Sequence, residues 1–207
     1  MRNLLLSLIA LAIATPAMAG DLSVTIKDAA GQPVTDAVVT LHPAASDRGP
    51  SKFPWPYTMT QQDIAFHPFV LIVPVGATVS FPNKDKVRHH VYSFSPAKRF
   101  QLKLYGEDET RTIVFDKAGV VALGCNIHDR MMAFIDVVDT PWAAKSVAGK
   151  AVIVDAPAGA AVLTIWHPFL KGAAAPISKT IVLSARGGEE TVTLDLRPPP
   201  APGKMHM

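Results

Sequence analysis

Hydrophobic and polar residues alternate along most of this chain, and this pattern predicts β-strands. Residues 22–26 are the first clear example, with leucine, valine and isoleucine at every second position and polar side chains between them. A Gly-Gln-Pro turn follows at 31–33, and the apolar residues 37–41 fit a returning strand. The pattern therefore predicts an N-terminal β-hairpin over residues 20–43.

The middle of the chain has the pattern of a complete β-domain. The apolar or alternating runs that predict strands here are 69–73, 78–81, 90–94, 100–104, 111–115, 119–123 and 133–138. Six or seven strands of this spacing over about eighty residues indicate an antiparallel sandwich or barrel. Prolines are concentrated just before them, so we expect a Pro-rich linker at 44–56 and the domain itself at 57–139.

The last part of the chain is again strand-like, which makes the expected fold all-β. Its predicted strands are 151–154, 161–166, 179–183 and 190–196. Residues 140–197 are therefore expected to form a C-terminal segment of the β-sandwich type. One arrangement pairs the two ends of the chain into a second small sandwich, with the central domain inserted between them. The prolines after residue 197 predict a disordered tail at 198–207.

The N-terminus has the three parts of a secretory signal peptide. A short positive start is followed by an apolar stretch at 4–14 and by the small-x-small pattern Ala17-Met18-Ala19. We expect cleavage after Ala19 and a periplasmic location. The stretch is too short to span a membrane as a helix, and no cysteine at the cleavage point could carry a lipid, so no membrane anchor is predicted.

Charge and composition exclude some classes of function. Lysine and arginine number 20 against 17 aspartate and glutamate, and no basic cluster is interleaved with aromatic residues. We therefore expect no nucleic-acid partner. No acid–base pair stands out either, and no enzymatic activity is predicted.

Cys125 is the only cysteine, so it forms no intrachain disulfide. An exposed free thiol is open to oxidation in an oxidising compartment, and Cys125 is therefore expected to be either buried or bound. His128 follows it by three residues and Met131 by six, at the end of a predicted strand. A thiolate, an imidazole and a thioether suit copper, whereas calcium and magnesium prefer oxygen and structural zinc sites use no methionine.

The sequence around these residues resembles the type 1 copper cupredoxins, plastocyanin and amicyanin. The shared features are an aromatic residue at a strand end, a loop asparagine, a histidine eight residues after the aromatic and a glycine six before the cysteine: Phe81, Asn83, His89 and Gly119. The spacing Cys-x-x-His-x-x-Met is similar to that of amicyanin. The resemblance implies a Greek-key β-sandwich that binds one copper ion through His89, Cys125, His128 and Met131.

The same resemblance implies one-electron transfer between Cu(I) and Cu(II), with a redox protein such as a cytochrome c or a dehydrogenase as partner. His90 stands where the family has an asparagine and is a further candidate ligand, and Met132 is the rival of Met131 as the axial ligand. A copper-trafficking protein with the same ligands is one alternative. A structural β-sandwich is another, in which Cys125 and Met131 only fill the core.

The terminal segments are similar to a second class of β-domain. A Pro-Ala-Gly turn at 157–159 is followed by an alternating strand that ends in Ile-Trp-His-Pro at 165–168. This pattern resembles the small sandwiches called carboxypeptidase-regulatory-like domains. The resemblance implies a β-sandwich and no particular chemistry.

Overall fold

The computed structural model describes residues 19–44, 52–172 and 175–198, and these residues form strands and turns without a helix. The expected all-β fold is confirmed. The strands are β1 (Ala19–Asp28), β2 (Val38–Pro43), β3 (Thr60–Gln62), β4 (Ala65–His67), β5 (Val70–Pro74), β6 (Ala77–Pro82), β7 (His89–Ser95), β8 (Lys98–Tyr105), β9 (Thr110–Phe115), β10 (Gly119–Cys125), β11 (Met132–Val138), β12 (Ala143–Lys145), β13 (Lys150–Pro157), β14 (Gly159–Trp166), β15 (Ile177–Leu183) and β16 (Gly188–Leu194).

Two predictions concern residues outside the described ranges. The predicted signal peptide lies outside them except for Ala19, which begins β1, and the predicted tail lies outside them except for Pro198. Within the described ranges, no helix has the length and apolarity needed to cross a membrane.

The central strands form a two-layered sandwich. Its larger sheet has the order β5-β11-β10-β7-β8, in which β5 and β11 run parallel and the other neighbours run antiparallel. The antiparallel pair β6-β9 contributes side chains to the same core. Because the chain changes layer between β5 and β6, β6 and β7, β8 and β9, and β9 and β10, most sheet neighbours are not consecutive. This connectivity is what a Greek-key sandwich requires.

The two ends of the chain form a second sandwich, with one sheet ordered β13-β1-β16 and the other β12-β2-β14-β15. Strand β1 runs parallel to β16, with Leu22 opposite Gly188 and Asp28 opposite Leu194. Alternate apolar side chains of both sheets fill one core. The expected second sandwich of flanking segments is confirmed, while its resemblance to carboxypeptidase-regulatory-like domains stays a prediction.

The predicted hairpin between β1 and β2 is wrong. A turn does form at Gly31, which has a φ of 79° and donates its N–H to the Asp28 carbonyl at 2.9 Å. However, β1 pairs with β13 and β16, whereas β2 pairs with β12 and β14. Both strands bury apolar side chains in the same core, but they lie in its two facing sheets and are not neighbours in one sheet.

Part of the predicted linker packs against the core. Phe53 is 6% exposed, and its ring stacks on that of Trp55 with centroids 4.7 Å apart. The indole N–H of Trp55 donates to the carbonyl of Ile72 at 2.8 Å. The residues around 53–57 are therefore part of the packed structure between the two sandwiches. The short hairpin β3-β4 follows these residues in the chain. It was not predicted, and it lies next to the candidate metal centre.

Candidate metal centre

Three side chains that the sequence singled out lie together at one end of the central sandwich. His89 begins β7, Cys125 ends β10, and His128 lies in the loop that follows. The Sγ atom of Cys125 lies 3.8 Å from Nδ1 of His89 and 3.7 Å from Nδ1 of His128. All three atoms lie within 4.8 Å of one another, so this His-Cys-His group could hold a metal ion.

The spacing of these atoms fits a shared metal ion. Metal–sulfur and metal–nitrogen bonds are about 2.3 Å and 2.0 Å long in zinc–protein sites. With ligands of that reach at about 120° to each other, sulfur and nitrogen lie about 3.7 Å apart. The observed separations of 3.8 and 3.7 Å match this value. A trigonal arrangement of one thiolate and two imidazoles is typical of type 1 copper sites.

The pairing of β7 with β10 sets the two ligand-bearing segments side by side. Cys125 lies opposite Val91 and Gly124 opposite Tyr92, and the Asn126 N–H donates to the carbonyl of His90 at 3.3 Å. A Cβ atom at Gly124 would lie 2.8 Å from the outer end of the Tyr92 ring, so a larger residue there would displace that side chain. In this register the Tyr92 ring therefore lies over Gly124.

Two backbone hydrogen bonds close the loop that carries His128. The N–H of Cys125 donates to the carbonyl of Met131 at 3.1 Å, and the N–H of Met131 donates to the carbonyl of His128 at 2.9 Å. This tight loop turns the cysteine and the histidine toward the same point. It is the structural consequence of the short Cys-x-x-His-x-x-Met spacing.

The two candidate methionines lie on opposite faces of the sheet. Met131 is 2% exposed and belongs to the same core cluster as Cys125. Met132 pairs with Gly124, so it lies on the face away from Cys125 and is only partly buried. Residues opposite each other in a ladder share a face, and this rule places Met131 on the side of Cys125.

His90 is outside the His-Cys-His group. It follows His89 directly in β7, so its side chain lies on the other face of the strand. Its Nε2 atom is buried without a hydrogen-bond partner among the described residues, and its ring centroid lies 6.1 Å from that of Tyr92. The backbone carbonyl of His90 nevertheless joins the two ligand segments through Asn126.

The site is mostly closed to solvent. His89 is fully buried and Cys125 is 4% exposed, while His128 is partly exposed. Burial lowers the pKa of His128 below its usual 6.5, and the neighbouring His89 lowers it further. At neutral pH the His128 ring is therefore uncharged, and its Nδ1 lone pair is available to a metal ion.

A carboxylate contacts the other nitrogen of the buried ligand ring. The Nε2 atom of His89 lies 2.8 Å from Oδ2 of Asp85, whose carboxylate also accepts the backbone N–H groups of Asp63 and Ile64. Partial burial alone would raise the pKa of Asp85, but these hydrogen bonds lower it below 3.8. The sequence analysis missed Asp85, because a spacing of four residues predicts a side-chain contact only on a helix and this segment is not helical.

Comparison with known proteins gives matches among solved structures only. No protein-family model and no curated protein matches the chain. A Cu-containing nitrite reductase from Thermus scotoductus is 29% identical over 47% of this chain, with a TM-score of 0.39, and this chain spans 25% of that reductase. A purple cupredoxin from Nitrosopumilus maritimus is 22% identical over 39% of this chain and 98% of its own, with a TM-score of 0.36.

A third solved structure is an amicyanin variant in its Cu(I) form, 20% identical over 44% of this chain and 97% of its own, with a TM-score of 0.36. TM-scores of this size do not by themselves assign a fold or a function. The three structures described here are thus a copper-containing nitrite reductase, a purple cupredoxin and an amicyanin, and the chain itself brings together a His-Cys-His group that could hold a metal ion.

Proposed function

We propose that this chain is an exported copper protein that transfers one electron, with copper bound by His89, Cys125, His128 and Met131. The observation that carries the proposal is the approach of two imidazole Nδ1 atoms to one sulfur, at 3.8 and 3.7 Å. The burial of Met131 on the same face as Cys125 supports a thioether as the fourth, weaker ligand. Bound copper supplies the Cu(I)/Cu(II) couple.

The protein side chains have distinct tasks in this proposal. Cys125 loses its proton to become a metal ligand, and the buried ring of His89 excludes water from the inner side of the site. Both ligand segments are fixed by backbone hydrogen bonds, so the donor atoms keep nearly the same positions in both oxidation states. Small rearrangement of the ligands favours rapid electron transfer.

The partly exposed ring of His128 is the proposed route of the electron to a partner. Exposed apolar side chains lie on the segments that form the site: Ile127 precedes His128 and is 48% exposed, Val87 lies two residues before His89 and is 43% exposed, and Ile64, whose N–H is accepted by Asp85, is 47% exposed. A transient redox complex needs only a small contact surface. We propose a redox protein, such as a cytochrome c or a dehydrogenase, as the partner. The predicted signal peptide supports the periplasm as the location of this chain.

The structure favours electron transfer over the trafficking alternative. A protein that releases copper readily needs an accessible site, and an extra donor such as His90 would assist exchange. Here His90 lies outside the ligand group, and two of the three donors that meet are buried. These features support a site that retains its metal.

The first prediction concerns the loaded protein. One equivalent of Cu(II) added to the reduced, metal-free chain is expected to give an intense visible thiolate-to-copper absorption and a reversible one-electron couple. The measurements are an absorption titration and voltammetry of the same sample. Stoichiometric binding without the absorption band contradicts the type 1 site. A coloured site that loses copper to a weak chelator within seconds supports trafficking instead.

The second prediction separates the two methionines. Met131→Leu is expected to raise the reduction potential while copper stays bound, because leucine removes the weak axial donor and keeps the buried volume. Met132→Leu is the matched control and is expected to leave the potential unchanged, since Met132 lies on the opposite face. Voltammetry of both variants checks this. A shift in the Met132 variant alone would make the axial assignment wrong.

A further inference from the structure

The carboxylate of Asp85 connects His89 to a hairpin that lies far from it in sequence. Asp85 Oδ1 accepts the N–H of Asp63 at 2.7 Å, and Oδ2 accepts the N–H of Ile64 at 3.0 Å. Oδ2 also lies 2.8 Å from Nε2 of His89. The His89 side chain has no exposed surface and that of Asp85 is 12% exposed, so solvent screens this contact weakly.

The two N–H donors come from an unusual turn. Asp63 and Ile64 link β3 to β4 and have φ values of 56° and 54°, in the left-handed region. Two consecutive residues with positive φ are typical of a two-residue type I′ hairpin turn, where asparagine and glycine are preferred. A β-branched isoleucine is unfavourable there. The Asp85 carboxylate accepts both N–H groups of this turn and so stabilises its unfavourable conformation.

The hairpin is also attached to the ligand-bearing segment by its backbone. The N–H of Lys84 donates to the carbonyl of Gln61 at 2.8 Å, and Gln61 forms a parallel bridge with Asn83. Asn83 is fully buried, and its side chain accepts the Asp85 N–H at 2.9 Å. Asp85 is therefore held in place by hydrogen bonds to the β3-β4 turn, to Asn83 and to His89.

We infer that Asp85 is a positioning residue of the metal centre, which orients His89 through Nε2 and lowers the reduction potential of the bound copper. Only the effect on the reduction potential rests on the proposed function; the orientation of His89 does not. A hydrogen bond from Nε2 to a carboxylate fixes the tautomer and leaves Nδ1 free to face Cys125. The negative charge increases electron donation by the ring, which stabilises Cu(II) relative to Cu(I).

The first experiment uses the metal-free protein and does not depend on copper. Nuclear magnetic resonance of the wild-type chain is expected to show His89 with its proton on Nε2 and slow solvent exchange at the amides of Asp63 and Ile64. In Asp85→Ala these two amides are expected to exchange at least about tenfold faster. Asp108→Asn is the matched control, because Asp108 pairs with the neighbouring Lys84 at 2.7 Å and is exposed. Unchanged exchange in Asp85→Ala overturns the inference.

The second experiment uses metal. Asp85→Ala is expected to weaken Zn(II) binding about 10- to 100-fold, the usual effect of removing such a partner, while Asp108→Asn has no effect. In the copper-loaded protein, Asp85→Asn is expected to raise the reduction potential, since the amide keeps the volume and loses the charge. An unchanged potential in a coloured protein overturns the electrostatic part of the inference. A wild-type chain that forms no coloured copper site contradicts the proposed function, while the amide exchange and Zn(II) measurements still decide the role of Asp85.

Discussion

Replacing His89 with alanine is expected to abolish the visible thiolate-to-copper absorption, whereas the same replacement of His90 leaves it nearly unchanged. The two histidines are adjacent in β7, but only Nδ1 of His89 faces Cys125, at 3.8 Å. Losing one of three strong donors leaves copper with a thiolate and a single imidazole, and such a site is expected to bind Cu(II) at least about 100-fold more weakly. Absorption and electron paramagnetic resonance spectra of both loaded variants check this.

The two histidine variants also control for each other. Alanine at His89 creates a hole in the interior, because that side chain is fully buried, so the unfolding transition of each metal-free variant should be measured as well. A folded His89→Ala protein without the absorption band supports the ligand assignment. Equal spectra for the two variants, or loss of the band only in His90→Ala, would mean that the register of β7 was assigned wrongly.

Much of the candidate site could be predicted from local sequence. A cysteine at a strand end, followed by a histidine and a methionine at three-residue spacing, produces one tight loop, and the structure shows the backbone hydrogen bonds that close it. His89 came from the resemblance, since no local rule relates it to Cys125 36 residues later. Its burial beside Cys125 depends on the pairing of β7 with β10, which is a tertiary contact.

The sequence pattern predicted where most strands lie, but it did not predict which strands pair with each other in a sheet. Alternation identified β1 and an apolar run identified β2, because both patterns report which residues are buried. Neither pattern reports the neighbour of each strand in the sheet, and the partners of β1 are β13 and β16, more than a hundred residues away. The hairpin expectation was wrong because it chose the nearest strand in sequence.

Asp85 shows a further limit of sequence analysis. Its partners are the N–H groups of Asp63 and Ile64, and these are backbone groups that carry no sequence signature. The turn that presents them contains isoleucine at a left-handed position, which no turn preference would select. The contact follows from packing the β3-β4 hairpin against the segment after β6, and only a three-dimensional structure shows it.

Asp136 is the least expected charged residue of the structure. It lies in β11 and faces the terminal sandwich, is 8% exposed, and makes no side-chain hydrogen bond with any described residue. Burial, assisted by the nearby charge of Asp139, raises the pKa of Asp136 to about 6. Its side of the sheet borders a cavity of about 490 Å³ between the two sandwiches, whose other ionisable lining residues are His42, Asp139 and Arg197.

This raised pKa has a definite consequence for stability. Between pH 3.8, the usual value for aspartate, and pH 6 the folded chain holds a proton on Asp136 that the unfolded chain has lost. The free energy of unfolding therefore falls as the pH rises through this window, by up to about 3 kcal/mol from this group. Carboxyl groups with a lowered pKa, such as Asp85 and Asp116, act below pH 3.8, where they make the free energy of unfolding rise with pH.

Asp136→Asn is therefore expected to make the metal-free protein more stable at pH 7 to 8, by about 1–3 kcal/mol, and to leave its stability at pH 4 nearly unchanged. Asparagine keeps the volume and cannot ionise, and the lower figure allows for the burial of its amide. Denaturant unfolding of both proteins from pH 4 to 8 measures the difference. Asp116→Asn, at an exposed carboxylate paired with Lys98, is the control and is expected to show no such gain between pH 4 and 6. A constant difference between Asp136→Asn and the wild type across this range would mean that Asp136 is ionised throughout, and that a donor near the cavity keeps its charge.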